Sequence, residues 1–327
     1  MPEISTYKIA VSGDLGSGKS TVCKLLQTLI SFDLFSMGEA WRKIAEKYQM
    51  TILELNKYSE THPLDEEMDQ TMIAMGSTPQ NTIFDSRLAW HFIPHAFKVH
   101  LIVDNTIAAA RIFNDQRGKA EGYSSLEETR QKLQLRKESE NRRYFQKYGL
   151  DCGQFDNYDL IVDTSYAAPD AIARFIAAKF GSWSAGECPN KIWLSPKSIF
   201  PTKTENEAEI FGAQPAPAFA DPSLTHDLDD ESQPLPIILV DGVYYLLGET
   251  PEENRQAHQK MSAALFTGVD FLPVRLWFTH PETNSALAAS QNTRDARDYL
   301  RRNLDMDLIQ RWEKHHQFKF AQYPAPV

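Results

Sequence analysis

The chain has 327 residues, 34 of them Lys or Arg and 44 Asp or Glu, for a formal charge of −10. That length suggests two domains, and a composition 42% apolar and 24% charged excludes global disorder. The acidic balance argues against nonspecific nucleic-acid binding, and no apolar run approaches the roughly 18 residues that span a bilayer. The opening MPEISTYKIAVSG has no basic or apolar leader pattern, and Cys23, Cys152 and Cys188 lack the spacing of a disulfide framework or zinc site. The expected setting is cytoplasmic.

From Lys8 to about Phe180, short apolar runs alternate with helical stretches. KIAVS (8–12) predicts a strand and Thr21–Ile30 a helix. NTIFDS (81–86), KVHLIVD (98–104) and YDLIVDT (158–164) predict further buried strands. Strands separated by helix-length segments imply an α/β fold with a parallel sheet and helices on both faces. SAGECPN, after Trp183, reads as a linker, so the expected domains are 1–183 and 184–327. Beyond it IWLS (192–195), PIILV (236–240), VYYLL (243–247) and FLPVRLWF (271–278) predict a second set of strands. Pro201–Pro236 holds six prolines, eight acidic residues and a single lysine, Lys203, and is expected to be a mobile loop.

The clearest chemistry lies in Gly13-Asp14-Leu15-Gly16-Ser17-Gly18-Lys19-Ser20, which matches G-x-x-x-x-G-K-[ST] between a predicted strand and a predicted helix. Glycines let the backbone curl so that successive N–H groups face one anion, and the helix N-terminus adds its positive end. Gly13, Gly16, Ser17, Gly18, Lys19, Ser20 and Thr21 are therefore the candidate residues for ATP, with Lys19 reaching the β/γ-phosphates and Ser20 a Mg²⁺ ion. Asp85, at the end of a predicted strand, is a second candidate for Mg²⁺, or simply an acceptor for the Ser20 hydroxyl.

An acceptor needs cations of its own. Arg42 is expected to begin an amphipathic helix, where it faces either a second phosphate or solvent. Arg87 follows Asp85-Ser86 at the carboxyl end of a strand, where ligands of open α/β sheets sit. Between Arg111 and Arg143 the chain carries nine basic residues: Arg111, Arg117, Lys119, Arg130, Lys132, Arg136, Lys137, Arg142 and Arg143. Helical spacing puts Arg136 and Arg143 two turns apart with Glu140 between them. Such a segment closing over two nucleotides would supply the cations that phosphoryl transfer requires. The plainer alternative is a solvated helix laced with i,i+4 pairs such as Arg136–Glu140.

The order of these features resembles the cytidylate kinase family of nucleoside monophosphate kinases, in its short archaeal-type form. The matching stretches are GDLGSGKSTVCKLL, FSMGEAWRKIAEKYQMTILEL, DEEMDQ, DSRLAW, RIFNDQRGK, SLEETRQKLQLRKESENRRYFQKYGLD and YDLIVDTS, over about residues 7–180. The resemblance implies a P-loop kinase fold with a helical lid and transfer of the ATP γ-phosphoryl group to CMP or dCMP with Mg²⁺. It implies that Arg42 and Arg87 hold the acceptor phosphate and that Arg111 and Arg117 act from the donor side of the lid. Arg136, Glu140 and Arg143 correspond to an Arg–acid–Arg set that grips the acceptor and the moving group. Ser86-Arg87-Leu88 stands where the bacterial form has Gly-Arg-Asp, and Asp85 where the family often has Glu. Asp65 and Asp69 match an acidic pair, read here as surface helix acids.

In the second half, Asp241-Gly242 between PIILV and VYYLL predicts a type I′ hairpin. Thr250 as N-cap, Pro251 at the first position and Glu253 predict a helix ending at Gly268, with Ala257, Met261, Ala264 and Leu265 on its apolar face. This α+β order resembles the partition-protein-B/sulfiredoxin-like fold, with Gly248-Glu249 and the later Arg255 in place of that fold's signature. His258, His315 and His316 are expected at the surface. The expectation is thus a kinase domain with an accessory domain that engages a protein partner. Two alternatives remain: a kinase of another monophosphate or small metabolite, and a nucleotide-sensing binding protein.

Overall fold

The computed structural model describes residues 6–51, 54–55, 58, 62, 64–115, 124–188, 190–204, 228, 230–248, 250–276 and 296–324. Arg117 and Lys119 lie outside the described residues, as do 205–227 and 229 of the acidic proline-rich stretch. The chain divides into two compact units, Met1–Lys191 and Ile192–Val327.

The first unit is an α/β fold on a parallel sheet with strand order β2-β3-β1-β4-β5. The strands are β1 (Lys8–Gly13), β2 (Asp33–Ser36), β3 (Thr82–Asp85), β4 (Phe97–Ile102) and β5 (Leu160–Asp163). All residues of β1, β3 and β5 are buried, which is why they read as continuous apolar runs. β2 was not anticipated: it is four residues long and only half covered, so it has no such run. The helices are α1 (Lys19–Ile30), α2 (Met37–Lys47), α3 (Leu64–Gly76), α4 (Ala89–Phe92), α5 (Asn105–Asn114), α6 (Leu126–Tyr148) and α7 (Pro169–Ser184). They cover both faces, α1 packing on α7 and α4 lying against β1 and β4.

Local chemistry starts and stops these helices. The Asp104 carboxylate accepts from the N–H groups of Thr106 (2.8 Å) and Ile107 (3.1 Å) at the head of α5. Ser125 caps α6 by accepting from Glu128 N–H at 3.1 Å, two glutamates occupy its first turn, and Gly149 ends it at φ +69°. Arg42 does not begin a helix: α2 starts at Met37, capped by Ser36, so Arg42 lies in its middle.

The second unit has strand order β6-β10-β8-β9-β7, with β6 (Ile192–Leu194), β7 (Ile199–Phe200), β8 (Leu235–Val240), β9 (Val243–Leu246) and β10 (Leu272–Leu276). β8 and β9 form the antiparallel hairpin, turning at Asp241 (φ +50°) and Gly242 (φ +80°) as a type I′ turn requires. Helix α8 (Pro251–Thr267) is capped by Thr250, which accepts from Glu253 N–H at 3.2 Å; helical 296–303 and α9 (Met306–His316) complete the unit. The surface expectation for its histidines is corrected. His258 is fully buried, with Nε2 accepting from Thr202 N–H at 3.2 Å and Nδ1 bonded to Asn254 O at 2.7 Å. His316 is half-buried, Nε2 lying 2.8 Å from the Ser262 hydroxyl, and burial pulls its pKa down to about 4. Among the described residues, no helix is long and apolar enough to cross a membrane.

Candidate active site

The phosphate loop leaves β1 at Gly13 and enters α1 at Lys19. Gly16 and Gly18 adopt φ +81° and +78°, a region that L side chains rarely enter, and a Cβ on Gly16 would sit 2.8 Å from that of Ala108. Two bonds shape the turn, from Asp14 N–H to Leu101 O at 2.9 Å and from Ser17 N–H to Asp14 O at 3.2 Å. The Ser17 side chain is buried and close to Gly13, whereas Ser20 is half-buried in the first turn of α1 and Thr21 is exposed.

Lys19 forms an ion pair with Asp85, whose other oxygen accepts from the Ser36 hydroxyl at 3.3 Å. Burial pulls the Lys19 pKa down to about 8 and pushes the neighbouring Cys23 thiol up to about 12. Asp85 thus sits with the loop lysine and the N-cap of α2, and its bond to the Ser20 hydroxyl, one of the two expectations, does not form.

Two of the arginines expected on the acceptor side, Arg87 and Arg136, meet at one carboxylate of α6. Arg87 forms an ion pair with Glu140, and Arg136 Nε donates to the other Glu140 oxygen at 3.0 Å. One carboxylate, half-covered on α6, therefore joins two of the expected arginines. Burial lowers the Arg87 pKa, but a guanidinium remains charged throughout the physiological range. Arg143 and Arg42 are exposed; Arg143 lies over the Tyr144 ring at 5.4 Å, and Arg42 has no bonded partner among the described residues. Arg111 has become a brace: its guanidinium donates to Gly16 O (3.2 Å), Thr164 O (2.6 Å) and Ser165 O (3.0 Å). It ties the back of the phosphate loop to the end of β5.

Several contacts were not legible from motifs. Lys137 of α6 pairs with Asp14 of the phosphate loop at 2.7 Å. His100, beside Ser12 on β1, is buried with Nδ1 unpartnered and its ring centroid 4.5 Å from that of Tyr158. Asp65 and Asp69 are not merely surface acids. Asp65 pairs with Lys147 at 3.2 Å, and Asp69 accepts from Tyr148 OH at 2.7 Å, which moors the end of α6 to α3. Asp14 lies within the phosphate-loop motif and Asp65 and Asp69 match an acidic pair of the resembled family, but neither signal named a partner, and Lys137 and His100 stood at unremarkable positions.

Residues 9–147 match the AAA domain family. The chain is 33% identical over 171 residues to a cytidylate kinase of Archaeoglobus fulgidus, covering 52% of this chain and 92% of that one. It is 31% identical over 185 residues to a cytidylate kinase of Thermoplasma volcanium, covering 55% and 94%. A third relative is an S-adenosylmethionine-dependent nucleotide dehydratase of Lacinutrix mariniflava, 34% identical over 171 residues, which cover 52% of this chain and only 35% of that protein. A phosphate loop with its lysine, set in a parallel α/β sheet under an arginine-bearing helix, agrees with the two cytidylate kinases in pointing to a P-loop phosphotransferase. By sequence over about half its length, the chain belongs to the cytidylate kinase family.

Proposed function

We propose that the first unit transfers the γ-phosphoryl group of ATP to a nucleoside monophosphate, CMP or dCMP foremost. The observation that carries this reading is the convergence on α6 of contacts to both sides of a transfer path. Lys137 touches the loop that would hold the donor, and Glu140 holds Arg87, the expected acceptor ligand. Phosphoryl transfer asks mainly for positioning and for cations around the moving group, so no protein base is required. Lys19 would neutralise the donor's β/γ-phosphates and Arg87 the acceptor phosphate. Arg136 and Arg143, with Arg117, would surround the group in flight, and Glu140 would hold Arg87 and Arg136 apart at a set distance.

The donor set suits Mg²⁺ by its chemistry. Ser20 and Asp85 offer hard oxygens, and magnesium is ordinarily held by one or two carboxylates or hydroxyls together with phosphate and water. When bound, the ion would neutralise phosphate charge and orient the β- and γ-phosphates. For its part, Asp85 would orient Lys19 and the start of α2 through Ser36.

The second unit is read as an accessory domain that engages a protein partner, not as a second nucleotide site. A Cβ on Gly248 would overlap the backbone of Asn254, so the turn is filled by its own helix, and Arg255 pairs with Glu252 on the same helix at 2.6 Å. A panel of nucleoside and deoxynucleoside monophosphates with Mg·ATP, read as ADP release, tests the proposal. CMP and dCMP should be the preferred acceptors. Preference for another monophosphate would favour the rival kinase, to which the missing acid after Arg87 points, and ATP binding without turnover would favour the sensing reading.

A further inference from the structure

The phosphate loop carries a carboxylate of its own. Asp14 follows Gly13 directly, and its backbone helps to close the turn, so its position is fixed by the same bonds that shape the loop. A carboxylate beside a site for phosphates opposes binding, because like charges repel strongly where water is partly excluded. Asp14 is only 17% exposed. Its charge is met by Lys137, whose ammonium lies 2.7 Å away and comes from the helix that also carries Glu140. Residues three apart share a helix face, so one face of α6 reaches both the loop and Arg87. Among the described residues, the titratable groups that feel this pair are His100, held neutral by burial, Arg87, already engaged by Glu140, and Tyr158, whose hydroxyl burial keeps protonated.

We infer that Lys137 is a positioning residue for the donor nucleotide: it neutralises Asp14, keeps the field of the loop positive, and links donor affinity to the seating of α6. The inference rests on reading the loop as the ATP site. Two consequences distinguish it from a merely structural role. The effect should fall on the donor and not the acceptor, and it should be reversed by removing the charge that Lys137 covers.

The test is Mg·ATP titration calorimetry on the full chain, with thermal melts to verify folding and steady-state KM values for both substrates. Lys137→Ala should weaken ATP binding about fivefold, the order expected for one partly covered pair, and raise the ATP KM without raising the CMP KM. Asp14→Asn introduced into that variant should restore ATP affinity, and Lys137→Arg should retain it. Unchanged ATP affinity in a folded Lys137→Ala variant, or a double variant as weak as the single one, would overturn the inference while leaving the donor reading intact. Failure of the wild-type chain to bind ATP would instead overturn the donor reading, and this inference with it.

Discussion

His100 makes the stability of the first unit depend on pH. It lies in β4 with 6% of its surface exposed, its Nδ1 unpartnered and its ring against Tyr158. Burial lowers its pKa from 6.5 to about 4; Asp14 opposes that shift, and Lys137 and Arg87 reinforce it. The unfolded chain takes up a proton near pH 6.5, whereas the folded chain does so only near pH 4. Between those values the unfolded state binds more protons, so stability is complete above pH 6.5 and is lost as pH falls toward 4. The loss reaches about 2.5 kcal/mol by about pH 4.5. His316 in the second unit is also held at about 4 and acts with the same sign, so the effect must be isolated by difference. His100→Gln keeps a polar group there but cannot titrate. Urea unfolding of the first unit at about pH 7.5 and 4.5 should show the wild type losing about 2.5 kcal/mol more than the variant. Parallel losses in the two chains, or an imidazole resonance of His100 that titrates near 6.5, would refute the reasoning.

Further outcomes are expected at Lys19, at Arg87 and at the Tyr148–Asp69 bond. Lys19→Ala should reduce phosphoryl transfer by 10²- to 10³-fold or more, on the order found for losing one charge-stabilising donor, and a variant retaining wild-type ADP release would contradict its role. The same change strands buried Asp85, so the melting temperature should also fall. Arg87→Ala should raise the acceptor KM about tenfold, the scale of a charge-assisted hydrogen bond, with little change in the ATP KM; an unaltered acceptor KM would remove Arg87 from the site. Tyr148→Phe should destabilise the first unit by about 1 kcal/mol, because Asp69, whose pKa burial already raises, loses its hydroxyl donor. Asp69→Asn keeps an acceptor for that hydroxyl and should melt closer to wild type, and a Tyr148→Phe variant that melts with the wild type would show that the bond contributes nothing.

What could be read from the chain directly was whatever is encoded by neighbours in sequence. The phosphate loop is such a feature, since its curl needs only glycines at 16 and 18 and its anion site only the adjoining helix. The strands β1, β3 and β5, the β8–β9 hairpin and the capped helix α8 were legible for the same reason: burial pattern, turn residues and caps act within a few residues. Where the local signal was weak the expectation failed, as with half-covered β2 and with Arg42, placed at the head of a helix that in fact begins at Ser36-Met37.

The pairings that give the site its character had no such signal. Lys137 with Asp14, Glu140 with Arg87, and Tyr148 with Asp69 join residues far apart in sequence, and although Asp14, Arg87 and Glu140 stood in recognisable patterns, nothing in the sequence named their partners. His258 looked no different, yet the fold encloses it completely. A side chain's charge, size and hydrogen-bonding capacity are written at its own position, but its partner is chosen by how separate helices and strands pack. That packing decided that α6 reaches both the phosphate loop and Arg87, and that Arg111 braces the phosphate loop.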